Sequence, residues 1–544
     1  MKSNRPLKYI ATQAKPFLSK IIWRSIIGIL SSVALFSFAI FSGNVLDICT
    51  GEKQGDLTLN IIFLFAAILL NALLTALNVH LSAVLTGRLK MHFQKSVFLG
   101  FTLKQFDKTS KYHSGDILNR LTDDINIITG SVSSIIPTIC SFVAKIAIGV
   151  TALVMFSPSF ALIAVVGGLI VPTFGRLISA KYKSLHKQVQ KSNGVTRSFL
   201  QECLENMSVV KSFSSFTPIE NRLDGFLENN YKLKIKRNNL HILTHSGLHT
   251  VFSLIYYVIL VLGAFSIVKG DITYGVLIAI LQIVNQLRMP LQNISGILPQ
   301  YYSAIASAER LLDLHDIEDE ETPIDSDKLG EIAQNFKEIK AENLSFSYNE
   351  EKVIFDNLNF SINRGDTVAL RGKSGRGKTT LFKLLLGLYS ANSGSISIDG
   401  KALSSVYRRL FAYVPQGNMI LSGSIRENIA LNRENLTDEE LISACKTAEI
   451  YDYISSLPKG FDTVLAERGA GLSEGQVQRL AIARALVSSC PILLLDESTS
   501  ALDEKTEKAV LKNLSTLKDK TILIITHRES VLDICNKTIS LQCE

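Results

Sequence analysis

Nothing in this chain points to disulfide or structural-metal chemistry. Its seven cysteines, Cys49, Cys140, Cys203, Cys445, Cys490, Cys535 and Cys543, are scattered over 544 residues. They show neither metal-ligand spacing nor a paired framework, and an odd, dispersed set suits a reducing cytosol or a membrane interior. A cleavable signal peptide is also not expected from the sequence. Lys2, Arg5, Lys8 and Lys15 precede the first apolar run, but that run is long enough to stay in a bilayer. No short-period repeat is evident, which argues against a solenoid. Charge is scarcest in the first 310 or so residues, where long uncharged runs gather much of the 47% hydrophobic content.

Six of those runs are long enough to cross a membrane, at about 20 apolar residues each. Their approximate spans are 24–44, 57–79, 134–156, 159–178, 247–268 and 275–298. The loops between them differ sharply in charge. The N-terminal tail, the segment between spans two and three, and the segment between spans four and five are rich in Lys and Arg. The opposite loops offer little beyond Lys53 and Lys269. Positive charge stays inside, so both termini are expected in the cytoplasm. Topology therefore accounts for the net charge of +8, and no nucleic-acid partner is expected. The two long inner loops read as helices continuing past the bilayer. Their tips, with 112–124 and 213–223 as the candidates, read as packed contacts for a soluble domain. Residues 313–335 are acidic, contain Pro323 and lack an apolar stripe, which suits an exposed linker between a membrane domain at 1–312 and a soluble α/β domain at 336–544.

The chemistry lies in the soluble half. "TVALRGKSGRGKTTLFKLLLG" (367–387) reads as strand, glycine loop and helix, and satisfies G-x-x-x-x-G-K-[ST] with Gly372, Gly377, Lys378 and Thr379. Backbone N–H groups of Lys373, Ser374, Gly375, Arg376 and Thr380 and their neighbours can curl around an anion. Lys378 should reach the outer phosphates and Thr379 should ligate Mg²⁺. A second apolar strand, "PILLLDEST" (491–499), ends in Asp496 and Glu497. Adjacent carboxylates are costly without a shared cation or proton, so Asp496 is expected near the metal and Glu497 near the attacking water. A third strand, "TILIITH" (521–527), ends in His527, which is either structural or a γ-phosphate contact.

Taken together, these motifs resemble an ATP-binding cassette (ABC) half-transporter of the exporter type over nearly the whole chain. That implies a six-helix α transmembrane domain followed by an α/β phosphate-loop nucleotide-binding domain. "LSEGQ" resembles the family's signature motif, with Ser473, Gly475 and Gln476 serving a nucleotide held by a partner subunit. Gln416 in "YVPQ" resembles the loop glutamine that senses Mg²⁺, and Tyr348 resembles the aromatic residue that stacks on adenine. "SALD" (500–503) resembles the D-loop, and "AERG" (466–469) lies where exporters carry a short motif facing the inner-loop tips. The resemblance implies ATP and Mg²⁺ as ligands, Glu497 and His527 as catalytic residues, and a dimer. It also implies a multi-pass protein of the bacterial inner (plasma) membrane that exports or flips an amphipathic peptide, lipid or drug.

Two features depart from the family pattern. Glu474 stands where glycine is commonest, so either its side chain turns away from the triphosphate or the site it completes is weakened, as in asymmetric heterodimers. With Glu497 intact, a homodimer is the first expectation. In addition, 17 residues follow His527, fewer than in many exporters. No peptidase-like segment precedes the first span. Within the membrane, Lys145 lies near mid-span, Arg288 and Pro290 interrupt the sixth span, and Asn285, Gln286 and Gln292 are close by. An ionisable side chain at that depth faces protein or a wet cavity. Lys145, Asn285 and Arg288 are thus candidates to line a cavity for anionic or zwitterionic cargo, with interhelical hydrogen bonding as the alternative. A nucleotide-gated, non-transporting protein and an importer are the competing function classes.

Overall fold

The computed structural model describes residues 4–541, except 215, 322–325, 349–352, 374, 418–419, 432, 434 and 467–470. At 167–180, 183, 241, 244–245, 248, 289, 291–296, 298 and 326–327 it describes the backbone only. The chain divides into two compact units. One comprises Met1–Thr102 and His113–Asp316, and the other Leu103–Tyr112 and Ile317–Glu544.

The first unit is helical throughout. After a short helix α1 (Arg5–Ala14) come six long ones: α2 (Leu18–Cys49), α3 (Leu57–Thr102), α4 (Ile125–Phe156), α5 (Pro158–Glu205), α6 (Phe216–Lys269) and α7 (Tyr274–His315). At 1.5 Å per residue the 46 residues of α3 run about 69 Å, far more than a bilayer's hydrocarbon thickness of about 30 Å. Among the described residues, Arg5–Cys49, Leu57–Thr102, Ser114–Phe156 and His249–Lys269 contain stretches apolar enough to span a membrane. Spans expected at 159–178 and 275–298 fall within the continuous helices α5 and α7, but partly on residues whose side chains lie outside the described set. One buried cluster gathers Phe36, Leu153, Ile259, Ile280 and Ile283, and a second gathers Leu85, Leu89, Phe93, Ile125 and Ile128. At the end of α2 the buried Asp47 accepts from the Gly275 amide at 2.7 Å and the Thr273 hydroxyl at 2.7 Å, capping the first turn of α7. A single π-helical turn, Arg120–Asp124, precedes α4, and its Asp124 is buried against Arg310 and Ser307.

The second unit is α/β. Strands β1 (Glu338–Ser347), β2 (Val353–Asn363), β4 (Ser393–Ile398) and β5 (Lys401–Ala402) form an antiparallel sheet in the order β2-β1-β4-β5. Strands β3 (Thr367–Arg371), β6 (Phe411–Val414), β9 (Ile492–Asp496), β10 (Thr521–Ile525) and β11 (Lys537–Ser540) form a parallel sheet in the order β11-β3-β10-β9-β6, and β7 (Gly423–Ser424) pairs with β8 (Val464–Leu465). β9 and β10 are buried along their whole length, as expected of parallel strands covered on both faces. In such sheets ligands gather beyond the carboxyl ends of the strands, which is where the 372–380, 496–497 and 527 segments emerge.

Two sequence expectations need correction. The stretch read as an exposed linker is in large part taken up by the two units. Helix α7 continues to His315, residues from Ile317 belong to the second unit, and helix α8 (Ser326–Asn335) buries Leu329 in that unit's core. The segment that joins the cassette unit is Leu103–Tyr112, whereas all of the expected tip 112–124 except Tyr112 belongs to the helical unit. Within it Arg120 and Asp124 are buried, Leu121 packs against a core cluster and Leu118 is exposed. In the second expected tip, 213–223, Phe213 and Phe216 are exposed, and Ser215 lies outside the described residues.

Candidate active site

Strand β3 delivers the chain into a loop that closes on helix α9 (Lys378–Leu385). Gly375 and Gly377 take positive φ of 80° and 84°. A Cβ on Gly377 would sit 2.3 Å from Ile354 Cγ2, so both conformation and space demand glycine there. The backbone thus leaves the free N–H groups at the start of α9 facing the loop's interior. Lys378 is 7% exposed and its Nζ donates to the carbonyl of Gly372 at 2.9 Å. Nζ also lies 3.0 Å from His527 Nε2. Because an ammonium only donates, Nε2 is the acceptor here and the ring proton sits on Nδ1. The 3.5 Å approach of Glu497 Oε1 to the same Nε2 is therefore not an ion pair in this arrangement.

Asp496, at the end of β9, is 1% exposed. Tyr413 donates to its Oδ2 at 3.2 Å, and Oδ1 has no partner among the described residues. Burial pushes this carboxyl above the usual aspartate range, opposed by the neighbouring Thr379 and Tyr413 hydroxyls. A buried carboxylate oxygen with an open lone pair, beside a threonine hydroxyl, matches the all-oxygen set a hard divalent cation takes. Glu497 follows with φ of 49°, in the left-handed region, and its Oε2 accepts from Gln416 Nε2 at 2.7 Å. Tyr348 is 47% exposed, and its hydroxyl lies 3.0 Å from Thr380 Oγ1.

The structure therefore brings together Gly372, Lys373, Gly375, Arg376, Gly377, Lys378, Thr379, Thr380, Tyr348, Gln416, Asp496, Glu497 and His527 at one end of the parallel sheet. Ser374 lies outside the described residues, as do 467–469 of the "AERG" stretch. The signature residues stand apart. Among the described residues, no hydrogen bond joins Ser473, Gly475 or Gln476 to the phosphate loop. Ser473 instead caps helix α10 (Glu474–Val487) in a reciprocal box with Gln476. Glu474, the first residue of α10, is exposed. A Cβ on Gly475 would meet the Ala501 carbonyl at 2.9 Å, so this glycine is required by its own D-loop.

Sequence reasoning missed the residues that hold the D-loop. Gln478 Oε1 accepts from the Ala501 amide at 3.1 Å, and Arg528 donates to the carbonyls of Ser500 and Leu502. Arg528 is in turn fixed by Glu507, a buried carboxylate that also binds Thr499 and Ser530. Only the second Gln of "GQVQR" and the Arg after His527 hinted at these roles.

In the helical unit, Lys145 on α4 and Arg288 on α7 are half-buried and Asn285 is exposed. No hydrogen bond or ion pair links any of them to another described residue. Gln286 donates to the Leu35 carbonyl at 3.2 Å, and its buried Oε1 is unpartnered among the described residues. Pro290 is buried within α7, and the Gln292 side chain lies outside the described residues.

A phosphate loop, a strand-end carboxylate pair and a signature helix, in a chain that also carries apolar membrane helices, define a membrane-bound nucleotide hydrolase. Comparison with known proteins identifies the family. The family model of the ABC transporter transmembrane region matches residues 25–291, and the ABC transporter model matches 355–500. The chain is 31% identical to an ATP-dependent lipid A-core flippase of Photobacterium profundum, over 82% of this chain and 77% of that protein. It is 30% identical to an uncharacterized ABC transporter ATP-binding protein of Bacillus subtilis, over 79% of this chain and 72% of the relative. A bacterial Atm1-family ABC exporter solved with ATP bound shares the fold at a TM-score of 0.80 and 23% identity, covering 97% of this chain and 94% of that one. The chain belongs to the ABC transporter family, as an exporter half-transporter with membrane and ATP-binding regions fused. It is an integral membrane protein that couples ATP hydrolysis to transport.

Proposed function

We propose that two copies of this chain pair head to tail and hold two ATP molecules at their seam. In this reading Tyr348 stacks on adenine, the 372–380 loop wraps the phosphates, and the Ser473 hydroxyl and Gly475 amide of the opposite copy close over the γ-phosphate. Thr379, Gln416 and Asp496 would hold Mg²⁺, which neutralises phosphate charge and orients the triphosphate when bound. Glu497 accepts the proton of the attacking water, and His527 holds the γ-phosphate once Lys378 has turned from it to the nucleotide. Hydrolysis separates the copies and returns the membrane helices from an outward-facing to an inward-facing arrangement. The observation that carries the reading is the run of contacts from Lys378 to His527 at 3.0 Å, His527 to Glu497 at 3.5 Å and Glu497 to Gln416 at 2.7 Å.

The cargo in this reading is an amphipathic lipid, peptide or drug with an anionic or zwitterionic head, met by Lys145, Asn285 and Arg288. Relatives named as lipid A-core flippases favour a lipid. The membrane is the bacterial plasma membrane, with both termini on the cytoplasmic side, as the Lys and Arg distribution supports. A second reading is one half of an asymmetric heterodimer, favoured by Glu474. At an effective dielectric near 20, two unit charges about 6 Å apart cost roughly 3 kcal/mol. Mg²⁺-dependent ATPase of the purified chain separates the two. Turnover by the chain alone, lost in Glu497→Gln, supports the homodimer. Turnover only with a second cassette chain supports the heterodimer. Lys145→Met and Arg288→Met should alter cargo-stimulated ATPase and spare the basal rate.

A further inference from the structure

Residues 318–321 are not a passive connection. The Gln105 amide donates to the Glu318 carbonyl at 3.0 Å, and the Glu320 amide donates to the Leu103 carbonyl at 2.7 Å, making an antiparallel bridge centred on Lys104 and Asp319. Charges reinforce it. Lys104, whose side chain is 8% exposed, pairs with Asp319 at 2.7 Å, and Lys108 pairs with Glu318. This acidic peptide is thus a strap across the 103–112 segment, which follows directly on Thr102, the last residue of α3.

The strap is in turn bolted to the nucleotide site. Glu320 takes a two-oxygen fork from Arg408 at 2.8 and 3.0 Å, and its side chain is only 19% exposed. The same guanidinium donates to the carbonyl of Leu386 at 2.9 Å and of Gly387 at 3.2 Å. Leu386 is the C-cap of α9, the helix whose first turn closes the phosphate loop. Arg408 therefore satisfies carbonyls left over at the helix end, where a cation is favoured. It also lies in the short segment that leads through β6 to Gln416. A planar fork with five donors can meet a carboxylate and two carbonyls at once, which a lysine cannot.

We propose that Glu320 and Arg408 are positioning residues that link the phosphate-loop helix to the 103–112 segment, so that ATP-driven movement of α9 reaches α3 through the strap. The pair touches no reacting atom, and its removal should leave ATP handling intact while weakening the response of the membrane helices. The test uses the full-length chain in lipid nanodiscs, in a background with the native cysteines replaced by serine. Spin labels at Glu52→Cys and Lys269→Cys report the distance change produced by ATP and vanadate. ATPase turnover, KM for ATP and melting temperature are measured alongside. Glu320→Gln, Arg408→Gln and the double variant should each lower the fraction of chains that switch by about five-fold, with Arg408→Lys intermediate. KM and basal turnover should stay within about two-fold. The double variant should be no worse than either single, because the two residues act through each other. An unchanged switching fraction, single-variant losses that multiply in the double, or a parallel fall of turnover and melting temperature would each overturn the proposal.

Discussion

Gln416 donates its side-chain amide to Glu497 across 2.7 Å, so the strand-end carboxylate is engaged by the loop that follows β6. Under the proposed roles, the general base is held by the same side chain that would turn toward the metal, which would tie its release to Mg²⁺–ATP binding. Glu497→Gln should cut turnover by about 10²–10⁴-fold, the usual contribution of a positioned general base. ATP affinity should hardly change. Gln416→Ala should lower turnover and weaken Mg²⁺-dependent binding, yet leave ATP binding in EDTA near the parent value. Fluorescent-nucleotide titration with and without metal separates the two variants.

Asp496 carries a prediction of opposite sign for stability and for activity. Burial raises its proton affinity in the folded, nucleotide-free chain. A carboxyl raised by folding contributes stability that is fully present below its unfolded value, near 3.9, and lost as pH rises through the folded value. At neutral pH the ionised group therefore works against the fold. Asp496→Asn should raise the melting temperature of the nucleotide-free protein at pH 7.5, by the equivalent of about 1–3 kcal/mol for an imperfectly satisfied buried group. The gain should fade as pH falls from the raised folded value toward the unfolded one, and be gone below it. Turnover with Mg²⁺–ATP should be lost.

Two glycines should fail for different reasons. Gly377→Ala places a Cβ 2.3 Å from Ile354 Cγ2 on a residue with φ of 84°. It should cost at least about 1–3 kcal/mol of stability and deform the phosphate loop. Gly475→Ala presses on the Ala501 carbonyl at 2.9 Å without a positive φ. It should lower the melting temperature less than Gly377→Ala does and spare binding of one ATP per chain. Turnover should fall about ten-fold, because the D-loop is displaced. Calorimetry with parallel ATPase assays distinguishes the outcomes.

Asp124 and Arg310 make the most buried ion pair in the helical unit. Asp124 is 1% exposed and accepts from Arg310 Nε at 2.7 Å and from Ser307 at 2.9 Å. Breaking a fully buried pair costs about 3–5 kcal/mol, and the partial exposure of Arg310 reduces that to roughly 2–3. Asp124→Leu and Arg310→Leu should each destabilise by that order, while the double variant should recover part of the loss. Equal and additive losses in thermal unfolding would contradict the pairing.

The legible parts of this protein were those written locally. Gly372 to Thr379 announce a phosphate loop because strand, loop and helix are contiguous, and Asp496–Glu497 stand out as paired charges after an apolar run. The membrane helices were visible through hydropathy, although their extension past the bilayer had to be inferred from loops that did not look disordered. What composition obscured was pairing at a distance. An acidic run reads as solvated, yet Glu318, Asp319 and Glu320 find Lys108, Lys104 and Arg408, two of them more than two hundred residues earlier in the chain. Tyr413 and Glu507 were likewise silent, since each matters only through a partner that the tertiary fold supplies.

The close approach of residue 475 to the carbonyl of residue 501 leaves the first turn of α10 with lopsided freedom. One position admits nothing larger than hydrogen, while its neighbour Glu474 projects into solvent and accepts a full side chain. In the proposed dimer, retuning the charge offered to the opposite copy's nucleotide is therefore possible at 474 and sterically closed at 475.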